Sequence, residues 1–408
     1  MSNESATPLA DVVAVPKTSS RLVRVTGALI ALGIVLSVVA LPDAGNRVRF
    51  GYAYLWGFTF LWTVVLGSLF FVGLQHLTSA VWSVVVRRVA EMIAAPMWLL
   101  GLLFLPVLAF VLFPDQFPVF PWTDAALVEH DHLLLEKRAY LNVPFFVIRA
   151  VVFLALWIAF SRYFVGKSLR QDHGEGGFAA SAAMRRMSAP FTLVFAATAT
   201  LAGVDWLMSL SPRWFSTMFG VYIFAGMVVA SLAAITIATV WMRKAGILGA
   251  GVVTEDHLYN LGCLLFAFVC FWAYIAFSQY MLIWYANVPE ESFYFVSRLK
   301  GGWLPVSVAL AVVRFVVPFM ALLSRRAKMN PRILFWVSIL MLAGQFLDLY
   351  WIVMPELHEG HPVLGWQEIG PSLLMVGVVI LYFTRFLGRN GPLAVGDPLL
   401  GESRQFRL

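Results

Sequence analysis

The chain has little charge and almost no cysteine, and each shortage excludes a class of protein. Only 12% of its 408 residues are charged, about half the share in soluble domains. Hydrophobic residues reach 61%, more than a water-soluble fold of this length can bury. The two cysteines form no CxxC or CxxCH motif, which argues against an iron–sulfur cluster or covalently attached haem in this chain. The composition therefore indicates a polytopic membrane protein.

Histidine is absent from the middle of every long apolar stretch. A b-type haem in a helical bundle needs facing imidazoles at membrane depth, so a cytochrome b is not expected. Residues 129–132 and 356–361 place histidines and acids at metal-ligand spacing, but solvated acidic loops explain them more simply, and we predict no metal site. The net charge of +7 is attributed to loops at one membrane face, so no nucleic acid partner is expected.

Ten apolar stretches are each long enough to cross a bilayer core about 30 Å thick. We number them spans 1 to 10 and predict helices near 22–41, 52–74, 92–113, 142–165, 188–210, 214–241, 258–286, 303–323, 332–354 and 370–388. The polar residues 1–20 read as a cytoplasmic tail, and 21–408 as a single membrane domain.

The loop charges predict the orientation of the chain. Of 29 Lys and Arg residues, 20 fall on the side of the N-terminus and seven on the opposite side. By the positive-inside rule, both termini are cytoplasmic, in a multi-pass protein of a bacterial inner membrane. The opposite face carries eleven acids against its seven bases and is expected to be an assembly surface.

Four charges remain inside the predicted spans: Arg149 in span 4, Asp205 in span 5, Arg314 in span 8 and Asp348 in span 9. A charge at this depth costs about 2.5–3.5 kcal/mol on insertion scales, so each needs a partner or a wet cavity. The four repeat with a spacing of four helices, since Arg149 and Arg314 lie in similar Val-rich segments. Each aspartate also precedes a proline by seven residues. We therefore predict one Arg–Asp pair in each of two parallel-related four-helix bundles.

These bundles would comprise spans 2–5 (about 50–210) and spans 6–9 (about 213–356), flanked by spans 1 and 10 (22–41 and 370–388). Two interpretations of the pairs stay open: a proton path or quinol-binding site in the outer half of the membrane, and structural ion pairs that hold each bundle together. Candidate polar bridging residues are Ser278, Gln279 and Gln345. A candidate inner proton mouth comprises His76, Glu91, Asp256 and His257, for which solvated helix ends are the simpler alternative.

Two segments of the sequence resemble a known family. Residues 137–146 (KRAYLNVPFF), leading into Arg149, and residues 205–222, with DWLMSL followed by WFSTMFGVY, resemble the ActF membrane subunits of bacterial alternative complex III. ActF is similar to the NrfD and polysulfide-reductase membrane anchors, which share the two four-helix bundles. The ten-span layout agrees with this resemblance over nearly the whole chain.

The resemblance implies a membrane subunit of a respiratory quinol:cytochrome c (or other acceptor) oxidoreductase with no cofactor of its own. Haem c and iron–sulfur clusters would belong to partner subunits at the outer face, beside an ActC-like membrane subunit to which the quinol site is attributed. The chain would contribute a quinol-side scaffold and a proton-conducting path, with no catalytic residue of its own.

The alternative is a stand-alone secondary transporter built on a duplicated bundle. Such transporters break corresponding helices of the two repeats near the membrane midplane. Among prolines in or near the spans, Pro144 and Pro305 alone stand at corresponding helix beginnings. This pattern favours a rigid subunit.

Overall fold

The computed structural model describes residues 20–249 and 251–408, so the predicted tail lies outside the described residues apart from Ser20, where the first helix begins. The described residues form helices and loops without a strand. Ten segments are long and apolar enough to cross a membrane: Leu22–Ala40, Ala44–Leu77, Val81–Leu112, Val143–Asp172, Gly177–Leu210, Phe219–Lys244, Glu255–Ala286, Trp303–Leu322, Pro331–Glu356 and Trp366–Asn390. They coincide with spans 1 to 10, which confirms the prediction of an all-α, multi-pass membrane protein.

The ten crossings put both ends of the described chain on one side, which we name the terminal side; the other is the distal side. Spans 2 to 5 reach farther toward the terminal side than predicted. Span 3 begins at Val81 instead of residue 92, so Glu91 lies inside the span, in the last turn of its first α-helix, and not before it. The helix continues through Arg87, Arg88 and Glu91 because these charges are spaced to pair along one face.

Spans 2–5 and spans 6–9 make contacts in the same cyclic order. Span 2 packs against spans 3 and 5, and span 4 packs against the same two. Span 6 packs against spans 7 and 9, and span 8 packs against those two. This order is what the predicted duplication requires, although the duplication itself stays a prediction.

Spans 2 and 6 form the centre of the molecule and pack against each other. Span 2 is buried along most of its length. Gly67 allows the close approach, because a Cβ atom there would lie 2.7 Å from the Met227 carbonyl oxygen and 2.8 Å from the Ser231 hydroxyl. Small residues at such crossings let helix backbones pack tightly in membranes.

Spans 1 and 10 pack against each other, and span 10 also packs against span 2. A buried ion pair joins the distal beginnings of spans 2 and 10: the Arg49 guanidinium donates two bonds of 2.8 Å to the Glu368 carboxylate. Spans 1 and 10 therefore lie at the edge of the first set of four.

Two spans are irregular. Span 3 consists of the helices Val84–Ala94, Met97–Leu103 and Leu105–Leu112, with breaks beside Pro96 and at Phe104. Span 8 contains a π-helical turn, Val312–Val316, whose central residue is Arg314. Single π turns inside α-helices often occur at functional sites.

Candidate functional site

The first predicted pair is formed in the structure as a fully hydrogen-bonded ion pair. Arg149 donates from Nε to Asp205 Oδ2 (2.7 Å) and from Nη2 to Asp205 Oδ1 (3.0 Å). Its third nitrogen, Nη1, donates to the Tyr140 carbonyl oxygen at 3.0 Å, and the guanidinium lies over the rings of Tyr140 and Phe145. Span 4 begins at the Asn142 cap, whose side chain accepts from the Phe145 amide. We name Arg149 and Asp205 the first pair.

The second predicted pair belongs to a larger cluster. Arg314 Nη1 donates to Asp348 Oδ2 (2.8 Å) and to Gln345 Oε1 (2.5 Å). The Tyr222 hydroxyl donates to the other carboxylate oxygen of Asp348. All four side chains are buried, and Arg314 lies over the Trp272 ring, 4.2 Å from its centroid. We name Arg314, Gln345, Asp348 and Tyr222 the Asp348 cluster.

Two glycines make space for this cluster. A Cβ atom on Gly344 would lie 2.7 Å from Arg314 Cγ, and one on Gly226 would lie 2.8 Å from Gln345 Oε1. The local sequence of spans 6 and 9 thus allows a buried guanidinium between them.

The two Arg–Asp sites differ in hydrogen bonding. In the first pair, all three guanidinium nitrogens have an acceptor within the protein. In the Asp348 cluster, Arg314 Nη2 is buried without a hydrogen-bond partner in the described residues, while Asp348 accepts from a hydroxyl that can itself exchange a proton. A guanidinium whose three nitrogens all have acceptors fits a structural role, although the Tyr140 hydroxyl beside the first pair is buried without a hydrogen-bond partner in the described residues. The Asp348 cluster differs in that its carboxylate accepts from a hydroxyl and its cation is under-bonded.

A third buried charge cluster lies on the terminal side, and sequence reasoning missed most of it. Its members are Arg87, Arg88, Glu91, Asp172 and Asp397, and we name it the terminal cluster. Arg87 pairs with Asp397, Arg88 pairs with Asp172, and both arginines lie within 3.6 Å of the Glu91 carboxylate. The five side chains sum to one negative charge when all are ionised.

The terminal cluster attaches the C-terminal segment to the bundle. The amide of Gly396 donates to Asp172 Oδ1 (3.0 Å), and the helix Leu400–Gln405 packs beside span 3. The terminal cluster thus adds further charges that are largely buried in the protein to the four predicted in spans 4, 5, 8 and 9. Arg298 and Glu368 are buried as well.

The residues of the predicted inner proton mouth lie at separate places in the structure. His76 is buried, stacked on Phe164, and lines a terminal-side pocket together with Arg87 and Asp397. His257 is buried elsewhere, where Nδ1 bonds Thr254 and Nε2 lies 2.9 Å from the Ser403 carbonyl oxygen. The interpretation of these histidines as solvated helix ends was wrong, because the C-terminal segment covers His257 and reaches the pocket of His76.

The remaining predicted site residues also lie at different places in the structure. Asp256 is half-buried in the first turn of span 7 and is not a member of the terminal cluster. Of the predicted polar bridge, Gln345 belongs to the Asp348 cluster. Gln279 lines a neighbouring cavity, and Ser278 is half-buried outside it.

Sequence reasoning also missed Tyr222 and Trp272 as members of the site. Tyr222 ends the WFSTMFGVY segment, so the resemblance marked its position without giving its partner. Its bond to Asp348 spans 126 residues and appears only when spans 6 and 9 are packed.

A short distal helix, Pro289–Arg298, covers the second set of spans. Arg298 is buried and donates to the carbonyl oxygens of Trp351 and Ile352 at the end of span 9. Burial raises the pKa of Tyr294 to about 12, so its hydroxyl stays neutral at physiological pH. Burial also lowers the pKa of His358, in the distal loop after span 9.

Among the described residues, no group of three or more His, Cys, Asp or Glu side chains is arranged to hold a metal ion. A scan against protein-family models and a search of curated proteins found no match to this chain.

Proposed function

We propose that this chain is a membrane subunit of a quinol-oxidising respiratory complex, similar to ActF, and that its Asp348 cluster belongs to a proton path. The observation that carries the proposal is the Tyr222 hydroxyl bonded to a buried Asp348. Among the described residues, the cationic partner of Asp348 is Arg314, whose Nη2 has no hydrogen-bond partner there. A buried carboxylate with a hydroxyl partner is a suitable relay group for protons inside a membrane.

The first pair takes the structural role in this proposal. Asp205 is held by two guanidinium nitrogens with nearly ideal geometry, and its arginine is held further by a carbonyl oxygen and two rings. The two interpretations that the sequence left open are thus assigned to different bundles.

Span 6 carries further buried hydroxyl side chains between the Asp348 cluster and the terminal side. Its buried hydroxyl side chains follow one another along the helix: Tyr222, Ser231, Thr236 and Thr239. The Thr239 hydroxyl is buried without a hydrogen-bond partner in the described residues. At 1.5 Å per residue and 3.6 residues per turn, Tyr222 and Ser231 are about 13 Å apart along the axis and on opposite faces of span 6, so a path between them needs ordered water and groups of neighbouring spans.

The helix irregularities favour a subunit over a secondary transporter. The breaks of span 3 have no equivalent in span 7, which is one helix from Glu255 to Ala286. The π turn of span 8 has no equivalent in span 4, which is one helix from Val143 to Asp172. A transporter with inverted or parallel repeats is expected to break corresponding helices.

Co-purification tests the proposed assembly. The chain, tagged in its native membrane and extracted in mild detergent, should elute with an ActC-like membrane protein, haem c absorbance and iron–sulfur subunits. The quinol:acceptor activity should elute in the same fractions. Elution of the chain alone, together with solute uptake by vesicles that contain only this chain, would contradict the proposal and support the transporter.

A further inference from the structure

A cavity of about 700 Å³ lies beside the Asp348 cluster, between spans 6, 7, 8 and 9 and beneath the distal helix Pro289–Arg298. It exists because span 7 packs against the Val312–Leu322 part of span 8 but diverges from the distal part, Trp303–Ala311. The exposed rings of Tyr274 and Phe277 stand at its edge, on the surface that a membrane would cover. A ligand could therefore enter from the bilayer.

The cavity wall is aromatic and nearly uncharged. Rings from five different elements line it: Tyr222, Trp272, Tyr280, Tyr294, Phe315 and Trp351. The described lining residues include no Asp, Glu, Lys, Arg or His. Such a wall does not favour a charged metabolite or a phospholipid headgroup, and it suits a planar, uncharged ring. The volume is in the range of pockets that bind small ligands.

Two polar side chains in the wall, Gln279 and Trp272, have a buried atom without a hydrogen-bond partner in the described residues; for Trp272 it is the Nε1 donor. Gln279 is only 6% exposed, and its Oε1 atom is buried without a hydrogen bond. A buried carboxamide oxygen left unpaired costs about 1–3 kcal/mol, so a ligand that donates a hydrogen bond to this oxygen is bound more tightly. A hydroxyl group on an otherwise apolar molecule would supply such a donor.

We propose that this cavity binds the ring of a membrane-soluble quinol, with one ring hydroxyl donating to Gln279 Oε1. The isoprenoid tail would leave between spans 7 and 8, past Tyr274 and Phe277. The ring would lie against Tyr222, whose hydroxyl donates to Asp348, so the occupant contacts the proposed proton path. The inference rests on the proposed function for the class of its ligand, and it concerns binding without an electron transfer step.

Direct binding to the purified chain tests this proposal. Decylubiquinol is titrated against the protein in detergent, and the intrinsic fluorescence of tryptophan is followed, since Trp272 and Trp351 line the cavity. Gln279→Leu is expected to weaken binding roughly threefold to tenfold through the loss of one hydrogen bond. Ala276→Phe, which fills the cavity from span 7, is expected to abolish saturable quenching.

Gln116→Leu is the matched control, because Gln116 is an exposed loop residue far from the cavity in the chain. Unchanged affinity in both Gln279→Leu and Ala276→Phe would overturn the proposal. So would a tightly bound phospholipid, seen by native mass spectrometry, that decylubiquinol does not displace. If Ala276→Phe does not fold, the comparison of the quinol affinities of Gln279→Leu and Gln116→Leu still tests whether Gln279 binds the ligand.

The outcomes also separate this inference from the proposed function. A chain that binds the quinol at Gln279 but elutes without redox subunits would retain the site and lose the assembly. A chain that elutes with haem-bearing partners but binds no quinol in this cavity would support the proposed function and overturn the inference about the cavity.

Discussion

Removing one partner of the Arg149–Asp205 pair should cause a large loss of thermal stability, and replacing the second partner as well should restore most of it. Asp205→Ala leaves a guanidinium that is 6% exposed with one carbonyl acceptor and two aromatic rings. Removing one member of a buried ion pair costs about 3–5 kcal/mol, because the other charge stays buried and unpaired. At about 2 °C per kcal/mol, the melting temperature should fall by roughly 6–10 °C.

The double variant Arg149→Met, Asp205→Leu distinguishes pairing from simple packing. Replacing both charges by apolar side chains of similar volume removes the desolvation cost together with the attraction, so the melting temperature should return to within about 2 °C of the parent. Melting is followed by the tryptophan fluorescence of protein in detergent. A stable single variant, or a double variant as unstable as Asp205→Ala, would refute the structural role of the first pair.

Three further predictions concern other parts of the fold. Burial lowers the pKa of His358, so the folded state favours the neutral imidazole. The melting temperature should therefore fall as the pH drops below the unfolded pKa of about 6.5. In His358→Gln the melting temperature should fall less steeply over the same pH range. Asp397→Asn removes the partner of Arg87, so trypsin should cleave the C-terminal segment roughly tenfold faster or more, measured by intact mass, while an unchanged rate would contradict the anchoring role. Gly67→Leu should lower the yield of folded protein because its side chain meets the span 6 backbone, whereas Gly166→Leu, with open space around it, should not.

The ten spans could be predicted from sequence because each is a long apolar run, and such runs depend on composition alone. The Arg–Asp pairs could also be inferred, since isolated charges in these runs stand out. The terminal cluster could not be predicted, because Arg87, Arg88 and Glu91 lower the local hydropathy. A segment with such low hydropathy is interpreted as a loop. The neutralising partners of Arg88 and Arg87 lie 84 and 310 residues away at Asp172 and Asp397.

The difference between the two Arg–Asp sites was also beyond the sequence. Both pairs lie in similar segments, and the repeat suggests equal roles. Only the packing of spans 6 and 9 shows that Tyr222 bonds Asp348, and only the backbone of span 8 shows that Arg314 lies in a π turn. Side-chain hydrogen bonds between distant helices depend on relative rotation, which hydropathy does not encode.

The most direct test of the central claim is the number of protons moved per quinol oxidised, measured in vesicles that contain the purified assembly and a trapped pH indicator. Asp348→Asn should lower this ratio while quinol oxidation continues. Asp205→Asn, measured below its reduced melting temperature, should leave the ratio unchanged. An unaltered ratio in Asp348→Asn, with the assembly intact, would contradict a proton path through the Asp348 cluster.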